Sequence, residues 1–213
     1  MKFIITAGPT REFLDPFRFI SNPSSGKMGF ALARAARDRG GEVVLISGPV
    51  NLPPPPGLEF VPVTSARRMR DEVMKHLPGA GAVIMAAAVS DYRPARYSPR
   101  KLKKGGERLS LDLVRNPDIL GELGRDKDGL ILVGFSAETE NIVDNAAEKL
   151  KSKNLDLIVA NDITAPASGF GAETNLVTVI GREGGVEEWP LLSKDELAAL
   201  IIERVRKIGS RRC

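Results

Sequence analysis

Apolar and polar positions follow two different spacings along the chain, and the switches between them predict a repeated strand–helix order. Short, nearly continuous apolar runs are typical of buried strands, and they occupy residues 2–7, 42–47, 60–63, 82–89, 130–135 and 155–160. Residues 108–114 alternate as a half-buried strand does. Apolar residues return with helical spacing at 28–39, 66–77, 117–123, 142–153 and 193–207. Nearly continuous apolar strands between helices are typical of parallel sheets covered on both faces. We therefore predict an α/β, Rossmann-like fold.

Signals at the segment ends refine this prediction. Asn116 reads as the N-cap of a helix that has Pro117 at its first position. Ser193 and Glu196 have the spacing of a capping box. Residues 175–180 and 186–191 can pair as a C-terminal hairpin. No linker or repeat interrupts the pattern, so we predict one domain over residues 1–208 and a basic tail at 209–213.

Composition excludes several kinds of chemistry. The single cysteine is Cys213, so no internal disulfide can form and a reducing, cytoplasmic setting is expected. The single histidine, His76, lies in a helical segment and reads as a surface residue. Zinc sites built from His and Cys and Cys–His nucleophiles are thereby excluded, which leaves Lys, Arg, Asp, Glu, Asn, backbone groups or a hard metal such as Mg²⁺. No apolar run is long enough to span a membrane, and a net charge of +4 suits an anionic small substrate as well as nucleic acid.

Ligands of parallel sheets bind beyond the carboxyl ends of the strands. The residues that follow the predicted strands are 8–10, 47–49, 87–91, 135–138 and 160–162. Asp91 follows a stretch of small residues against which a nucleotide could lie, although a turn-forming Asp has the same pattern. Phe135 could stack on a base or fill the core.

Residues 22–29 form a small-residue loop before a helix, with Lys27 at its end. Backbone N–H groups, the helix dipole and a lysine together favour an anion. The loop is not a P-loop, because position 21 is Ser21 rather than glycine, and no dinucleotide-binding glycine fingerprint follows the first strand. An ordinary flexible helix start remains the alternative.

Lysines mark two further segments. Lys101, Lys103 and Lys104 precede Gly105 and Gly106 in a basic loop that could close over a polyphosphate as a flap. The pair Lys149 and Lys153 shares one helix face. Each set taken alone is also typical of solvated surface charge.

Taken together, these segments resemble the phosphopantothenate–cysteine ligases of the bacterial type. The resemblance runs from about residue 2 to 207. It is carried by Gly8 to Glu12, Asp15, Arg18, Ile20, Asn22, Ser24 to Gly26, Ala87 to Val89, Asp91, Tyr92, Lys101, Lys103, Lys104, Asn116 to Ile119, Gly134, Phe135, Ala137 to Thr139, Lys153, Asp156, Ile158, Ala160 and Asn161.

The resemblance implies a two-step ligation in coenzyme A biosynthesis. The carboxylate of 4′-phosphopantothenate is activated as an acyl-nucleotide, from CTP rather than ATP and with Mg²⁺, and the amine of cysteine then displaces the nucleotide. By similarity, Asn22 and Lys101 are the catalytic residues, and no metal ligand is assigned. The nucleotide site comprises Ala87, Asp91, Lys101, Pro117, Asp118, Ile119, Leu120, Phe135, Lys149 and Lys153. The substrate and phosphate site comprises Arg18, Asn22, Ser24, Ser25, Gly26, Lys27 and Ala88.

The resemblance also bears on partners and cofactors. It implies a homodimer with residues 15–20 near the contact, small-molecule substrates, and neither nucleic acid nor membrane as a partner. Many bacterial relatives carry a flavin-dependent decarboxylase before the ligase, whereas Met1 here directly precedes the first strand, so we expect no FMN in this chain. A nicotinamide-dependent reductase and a non-catalytic nucleotide-binding module on the same sheet are the alternatives. NADPH-dependent reduction and cysteine-dependent pyrophosphate release distinguish them.

Overall fold

The computed structural model describes residues 1–103, 105–165, 167–169 and 171–211. Its strands, in chain order, are β1 (Lys2–Ala7), β2 (Arg11–Phe13), β3 (Phe19–Ser21), β4 (Glu42–Ser47), β5 (Glu59–Pro62), β6 (Ala80–Met85), β7 (Tyr92–Pro94), β8 (Leu113–Arg115), β9 (Ile131–Glu138), β10 (Leu157–Asp162), β11 (Thr174–Asn175), β12 (Val177–Gly181), β13 (Val186–Glu188) and β14 (Leu192–Ser193). Its helices are α1 (Lys27–Asp38), α2 (Ala66–His76), α3 (Ile119–Arg125), α4 (Ile142–Ser152) and α5 (Lys194–Ser210).

An eight-stranded sheet forms the centre of the fold, in the order β13-β12-β10-β9-β6-β1-β4-β5. The six strands from β10 to β5 run parallel, and β12 and β13 add an antiparallel hairpin at one edge. The predicted mostly parallel sheet and C-terminal hairpin are both confirmed. In the part of the chain that is described, no helix is long and apolar enough to cross a bilayer.

Helices cover both faces because neighbouring residues of each buried strand point to opposite sides. Ile5 of β1 packs in a cluster with residues of α1 and α5, such as Leu32 and Ile201. Ile4, one residue earlier, packs in a second cluster with residues of α2, α3 and α4, such as Met69. We call these the α1/α5 face and the α2–α4 face.

The predicted strand 82–89 is too long, since β6 ends at Met85. Residues 86–89 continue outside the sheet ladder and are fastened to the loop after β1. The Ala88 N–H donates to Gly8 O at 2.9 Å, and Thr10 N–H donates to Ala88 O at 3.2 Å. The apolar run misled the prediction because alanines fit a half-buried loop as well as a strand.

The predicted strand 108–114 is wrong over most of its length, because only Leu113–Arg115 forms a strand, paired with β7. Leu109 and Leu111 are 66% and 43% exposed. An alternating pattern indicates a face that something covers, but within the described chain no layer packs on these leucines.

The start of α3 also differs from the prediction. Asp118, rather than Asn116, is the N-cap, and its side chain accepts a hydrogen bond from Gly121 N at 3.1 Å. Asn116 instead donates from its side chain to Ser90 O at 2.8 Å. Asn116 therefore anchors the loop after β6, and Pro117 lies before the helix.

The last helix begins as predicted and ends later. Ser193 and Glu196 form the full capping box. The helix continues to Ser210, so the first part of the proposed tail is helical, and Cys213 lies outside the described residues. His76 is not a simple surface residue: its side chain is 12% exposed, and Nε2 lies 3.1 Å from Glu59 Oε1.

Candidate functional site

A cavity of about 720 Å³ opens at the carboxyl ends of β6, β9 and β10, where the strand-end rule places a ligand. It brings together segments that are far apart in the sequence. The predicted site residues that line it are Asn22, Ser24, Ser25, Gly26, Lys27, Ala87, Ala88, Asp91, Pro117, Asp118, Ile119, Leu120, Phe135, Lys149 and Lys153.

The loop before α1 reaches the cavity because two glycines allow a close approach. Gly26 has φ 79°, a conformation that side chains rarely adopt. A Cβ on Gly29 would lie 2.5 Å from Ala7 Cβ and 2.7 Å from Thr6 O, so α1 packs directly on the end of β1. No side chain caps α1 among the described residues, so the backbone N–H groups of its first turn are left for a ligand.

Asn22 lines the cavity and lies against the loop that follows β6. Its Nδ2 donates to Ala88 O at 3.2 Å. An amide NH₂ group carries two donors, so this contact fixes the side chain and leaves one donor for a ligand. That arrangement suits a hydrogen bond to an oxygen that gains negative charge.

Lys149 in α4 and Lys153 at the C-cap of α4 each form an ion pair with a carboxylate. Lys149 Nζ lies 2.5 Å from Oε1 of Glu138, a buried residue at the end of β9. Lys153 Nζ lies 3.0 Å from Asp118 Oδ1. Asn145 Nδ2 also donates to Glu138, at 3.3 Å. The lysines are therefore directed along the cavity wall rather than free in solvent, which the sequence spacing alone did not show.

The cavity straddles the edge of the sheet, with one half on each face. Ala87 and Leu120 pack with the cluster on the α2–α4 face, where Lys149 lies. Phe135 packs with the cluster on the α1/α5 face. The ring of Phe135 therefore belongs partly to the core, which is one of the two interpretations of the sequence. Stacking of this ring on a nucleotide base stays a prediction.

Several residues absent from the predicted site also line the α1/α5 half, and the polar ones include Asn161, Asn175 and Lys194. Asn161 follows Val159 by two positions on β10 and so shares its face. One sequence signal could have marked Lys194. It is the first residue of a helix, where the dipole disfavours positive charge, so a lysine there needs another reason.

Two predicted residues, Lys101 and Arg18, lie outside the cavity lining in this structure. Lys101 Nζ is 5.2 Å from the centroid of the Phe17 ring. Arg18 pairs with Asp15 at 2.5 Å, and its Nη2 donates to Leu102 O at 2.6 Å. Their roles in binding and catalysis stay predictions, and Lys104 lies outside the described residues.

Buried Asp15 ties the basic loop to the β2–β3 hairpin. It accepts hydrogen bonds from Leu102 N at 3.0 Å, from Phe17 N and Arg18 N at 2.9 Å each, and from the Arg18 guanidinium. Burial alone would raise the pKa of Asp15, but the donors at Leu102, Arg18 and Phe17 outweigh it and hold the pKa well below its ordinary value of 3.8. The loop at Leu102 therefore depends on an ionised carboxylate.

Comparison with known proteins identifies the family of the chain. Residues 1–208 match the family model described as the DNA/pantothenate metabolism flavoprotein C-terminal domain. The chain belongs to this family. The identification made from the motifs is thereby confirmed.

Relatives and a solved structure agree with this family. The chain is 49% identical over 207 residues to the coenzyme A biosynthesis bifunctional protein CoaBC of Bacillus subtilis, covering 97% of this chain and 51% of that protein. It is 44% identical over 209 residues to the protein of that name from Escherichia coli K12, covering 96% of this chain and 51% of that protein. The chain thus spans about half the length of these curated relatives. A crystal structure of the C-terminal domain of CoaBC superposes with a TM-score of 0.85 at 41% identity, covering 99% of this chain and 96% of that one.

In this member of the DNA/pantothenate metabolism flavoprotein C-terminal domain family, few of the described residues that line the cavity are acidic. Asp91 and Asp118 line it, and the described residues contain no cluster of three or more His, Cys, Asp or Glu that could hold a metal alone. Mg²⁺ is commonly held by one or two carboxylates together with substrate phosphates. The residues therefore fit Mg²⁺ that arrives with a nucleotide.

Proposed function

We propose that this chain is the ligase that joins 4′-phosphopantothenate to cysteine through an acyl-nucleotide, in the cytoplasm, as a step of coenzyme A biosynthesis. The observation that carries the proposal is the cavity itself. All the predicted site residues except Lys101 and Arg18, from five separate segments, line one cavity, in which Asn22 and Ala88 are joined by a hydrogen bond. The matched relatives are named for coenzyme A biosynthesis, which supports the same reaction.

In the first step, the substrate carboxylate attacks the α-phosphorus of the nucleoside triphosphate, and pyrophosphate leaves. Lys149 and Lys153, fixed by Glu138 and Asp118, offset the negative charge that spreads over the phosphoryl oxygens. Asp91 and Asp118 would hold Mg²⁺ together with the phosphates, and the bound ion would supply further charge neutralisation.

In the second step, the amine of cysteine attacks the acyl carbonyl and the new C–N bond forms. The acyl C–O bond breaks, the nucleoside monophosphate leaves with that oxygen, and the nitrogen loses a proton to solvent. The carbonyl oxygen becomes negative during attack. The Asn22 N–H that is not bound to Ala88 can donate to this oxygen without transferring a proton. Neither step transfers electrons, so the reaction needs no flavin in this chain.

Pyrophosphate release tests the proposed function and the nucleotide preference together. We expect release that depends on phosphopantothenate, with kcat/KM about tenfold or more higher for CTP than for ATP, because a site that hydrogen-bonds one base leaves groups unpaired with the other. Formation of the amide product should require cysteine. Equal kcat/KM for the two triphosphates would contradict the CTP preference, and no release with either would contradict the ligase.

Lys101→Gln tests the flap. The substitution keeps length and polarity but removes the charge that we propose moves from Phe17 to the phosphates when the loop closes. We expect turnover to fall on the order of 10²-fold, as for one electrostatic contact in a transition state. The melting temperature should hardly change, since Lys101 is exposed.

Lys103→Gln is the matched control, because Lys103 is an exposed lysine of the same loop. If it contributes only to the local field, its effect should be small and should disappear at high salt, where exposed charges are screened. Equal losses in the two variants would show that the loop is a general basic lid and that Lys101 has no special role.

A homodimer is the assembly that we propose. Phe17 is 67% exposed and Phe19 40% exposed in the β2–β3 hairpin, and Leu109, Leu111 and Leu113 are exposed as well. An uncovered apolar surface of this kind is typical of a protein interface. Sedimentation velocity of the whole chain at micromolar concentration should show a dimer, and a monomer would refute it.

A further inference from the structure

Ser136 carries a hydroxyl group that no other group in the described part of the chain uses. Its Oγ is buried and has no hydrogen-bond partner among the described residues. A buried polar atom without a partner is rare in folded proteins, because it has given up its hydrogen bonds to water. An alanine would fill nearly the same space without that cost. The hydroxyl therefore needs an explanation other than packing.

The position of Ser136 on β9 places its side chain on the α2–α4 face. A Cβ on Gly134 would lie 3.3 Å from Leu120 Cδ1, so Gly134 points to that face. Ser136 is two residues further along the same strand and shares its side. Glu138, two residues further again, pairs with Lys149 of α4. Along the strand, Ser136 thus lies between the apolar core and an ion pair.

Small and apolar side chains surround Ser136. Its partner on β10 is Ala160. Ala87, which follows β6, packs with the cluster on the same face. Ser136 and Ala87 both line the cavity, together with Ile119 and Leu120 of α3. Mostly apolar walls with one placed polar group are typical of sites for flat organic ligands. This part of the cavity therefore suits a nucleobase better than a phosphate group.

The charged side chains of this half have partners of their own. Lys149 pairs with Glu138, at 2.5 Å. Lys153 pairs with Asp118, at 3.0 Å. The polar edge of a base, in contrast, offers neutral donors and acceptors. A serine hydroxyl can donate one hydrogen bond and accept two, and rotation about its single side-chain torsion lets it reach either kind of group.

We propose that the Ser136 hydroxyl forms a hydrogen bond with the polar edge of the nucleotide base and contributes to the choice of cytosine over adenine. This assignment rests on the proposed ligase reaction and adds a residue that contacts the base. The two bases present their donors and acceptors at different places, so a hydroxyl fixed on β9 cannot serve both equally. The ligase motif here consists of Gly134, Phe135 and residues 137–139, and it leaves position 136 open.

Ser136→Ala tests the contact, because it removes the hydroxyl and keeps the Cβ. We expect kcat/KM for CTP to fall roughly 3- to 10-fold, the range for one neutral hydrogen bond, and kcat/KM for ATP to stay within about twofold of wild type. The preference for CTP should shrink by about the same factor. Ser136→Cys has nearly the same size and a weaker hydrogen-bonding group, so it should lie between. Equal losses with both triphosphates, or no loss with CTP, would overturn the proposal.

The melting temperature separates this role from a structural one. Removing a buried hydroxyl without a partner should not destabilise the free protein, so Ser136→Ala should melt at least as high as the wild type. Ser47 is the matched control, because it is a buried serine at the end of β4, outside the cavity lining, and its Oγ donates to Gly48 O at 2.8 Å. Ser47→Ala should melt lower and keep the wild-type preference for CTP. A lower melting temperature of Ser136→Ala with an unchanged preference would make the hydroxyl structural and refute the contact.

Binding of nucleoside monophosphates keeps the contact separate from catalysis. CMP and AMP carry the two bases and undergo no ligation step. In calorimetric titrations, the Kd for CMP should rise roughly 3- to 10-fold in Ser136→Ala, whereas the Kd for AMP should not change. Equal Kd values for CMP in the two proteins would contradict the contact. A wild-type chain without ligase activity whose CMP affinity still depends on Ser136 would refute the proposed function but support the contact.

Discussion

Asn22→Asp is expected to slow the second step of the ligation by roughly 10²–10³-fold, the usual cost of one lost oxyanion donor. Aspartate replaces the N–H group with a negative charge that repels the carbonyl oxygen as it becomes negative. The first step needs no donor from Asn22, so the acyl-nucleotide should still form. Rapid quenching with CTP, phosphopantothenate and cysteine should therefore reveal accumulated intermediate.

Two controls separate this role from a structural one. Asn22→Ala removes the donor without adding charge, so it should show a smaller loss than Asn22→Asp. Asn51→Asp adds the same charge at an exposed loop position and should leave turnover unchanged. Melting temperatures report whether losing the contact from Asn22 to Ala88 loosens the loop. Normal turnover of a folded Asn22→Asp variant would rule out the role.

Asp15→Asn is expected to lower the melting temperature by roughly 5 °C or more, because it disturbs a buried acceptor of several hydrogen bonds. An amide cannot accept from the Arg18 guanidinium and from Leu102 with the strength of a carboxylate. The basic loop loses its anchor at the same time. Turnover should therefore fall even at temperatures where the variant is fully folded.

The pH dependence identifies the cause. The folded-state pKa of Asp15 lies below the ordinary 3.8, so the carboxylate contributes stability above about that pH and loses it as the pH falls. The difference in melting temperature between the wild type and Asp15→Asn should thus be greatest near neutral pH and shrink below pH ~4. Asp128→Asn, at an exposed turn, should show no such trend. A difference that is constant with pH would contradict the assignment.

The sequence predicted those elements of the fold whose signals come from neighbouring residues. The capping box at Ser193 and the apolar runs of β1 and β4 depend on neighbouring residues, so they could be identified directly. The cap of α3 could not be identified in this way. Asn116 and Asp118 are both good N-caps, and the long-range bond from Asn116 to Ser90 decides between them. Alternation at 108–114 likewise could not show that no layer of this chain covers Leu109 and Leu111.

The residues of the site likewise divide into those that the sequence could identify and those that it could not. Motifs selected Asn22, Lys149 and Lys153 because their order along the chain is characteristic, and the structure brings all three to one cavity. Asn175 and Lys194 come from a two-residue strand and a helix start that carry none of the ligase motifs. Their proximity to α1 results from the packing of α5 against it, which sequence spacing does not reveal.

Because the cavity is divided between two faces of the sheet, substitutions on one face can act independently of substitutions on the other. Lys149 and Lys194 belong to different layers, and the sheet lies between them. Substitutions in layers that share no contacts usually have additive effects. Under the proposed ligase function, substitutions in α3 and α4 should therefore alter the choice of triphosphate and leave contacts on the α1/α5 face unchanged. Paired variants, one from each layer, should show kinetic effects that multiply.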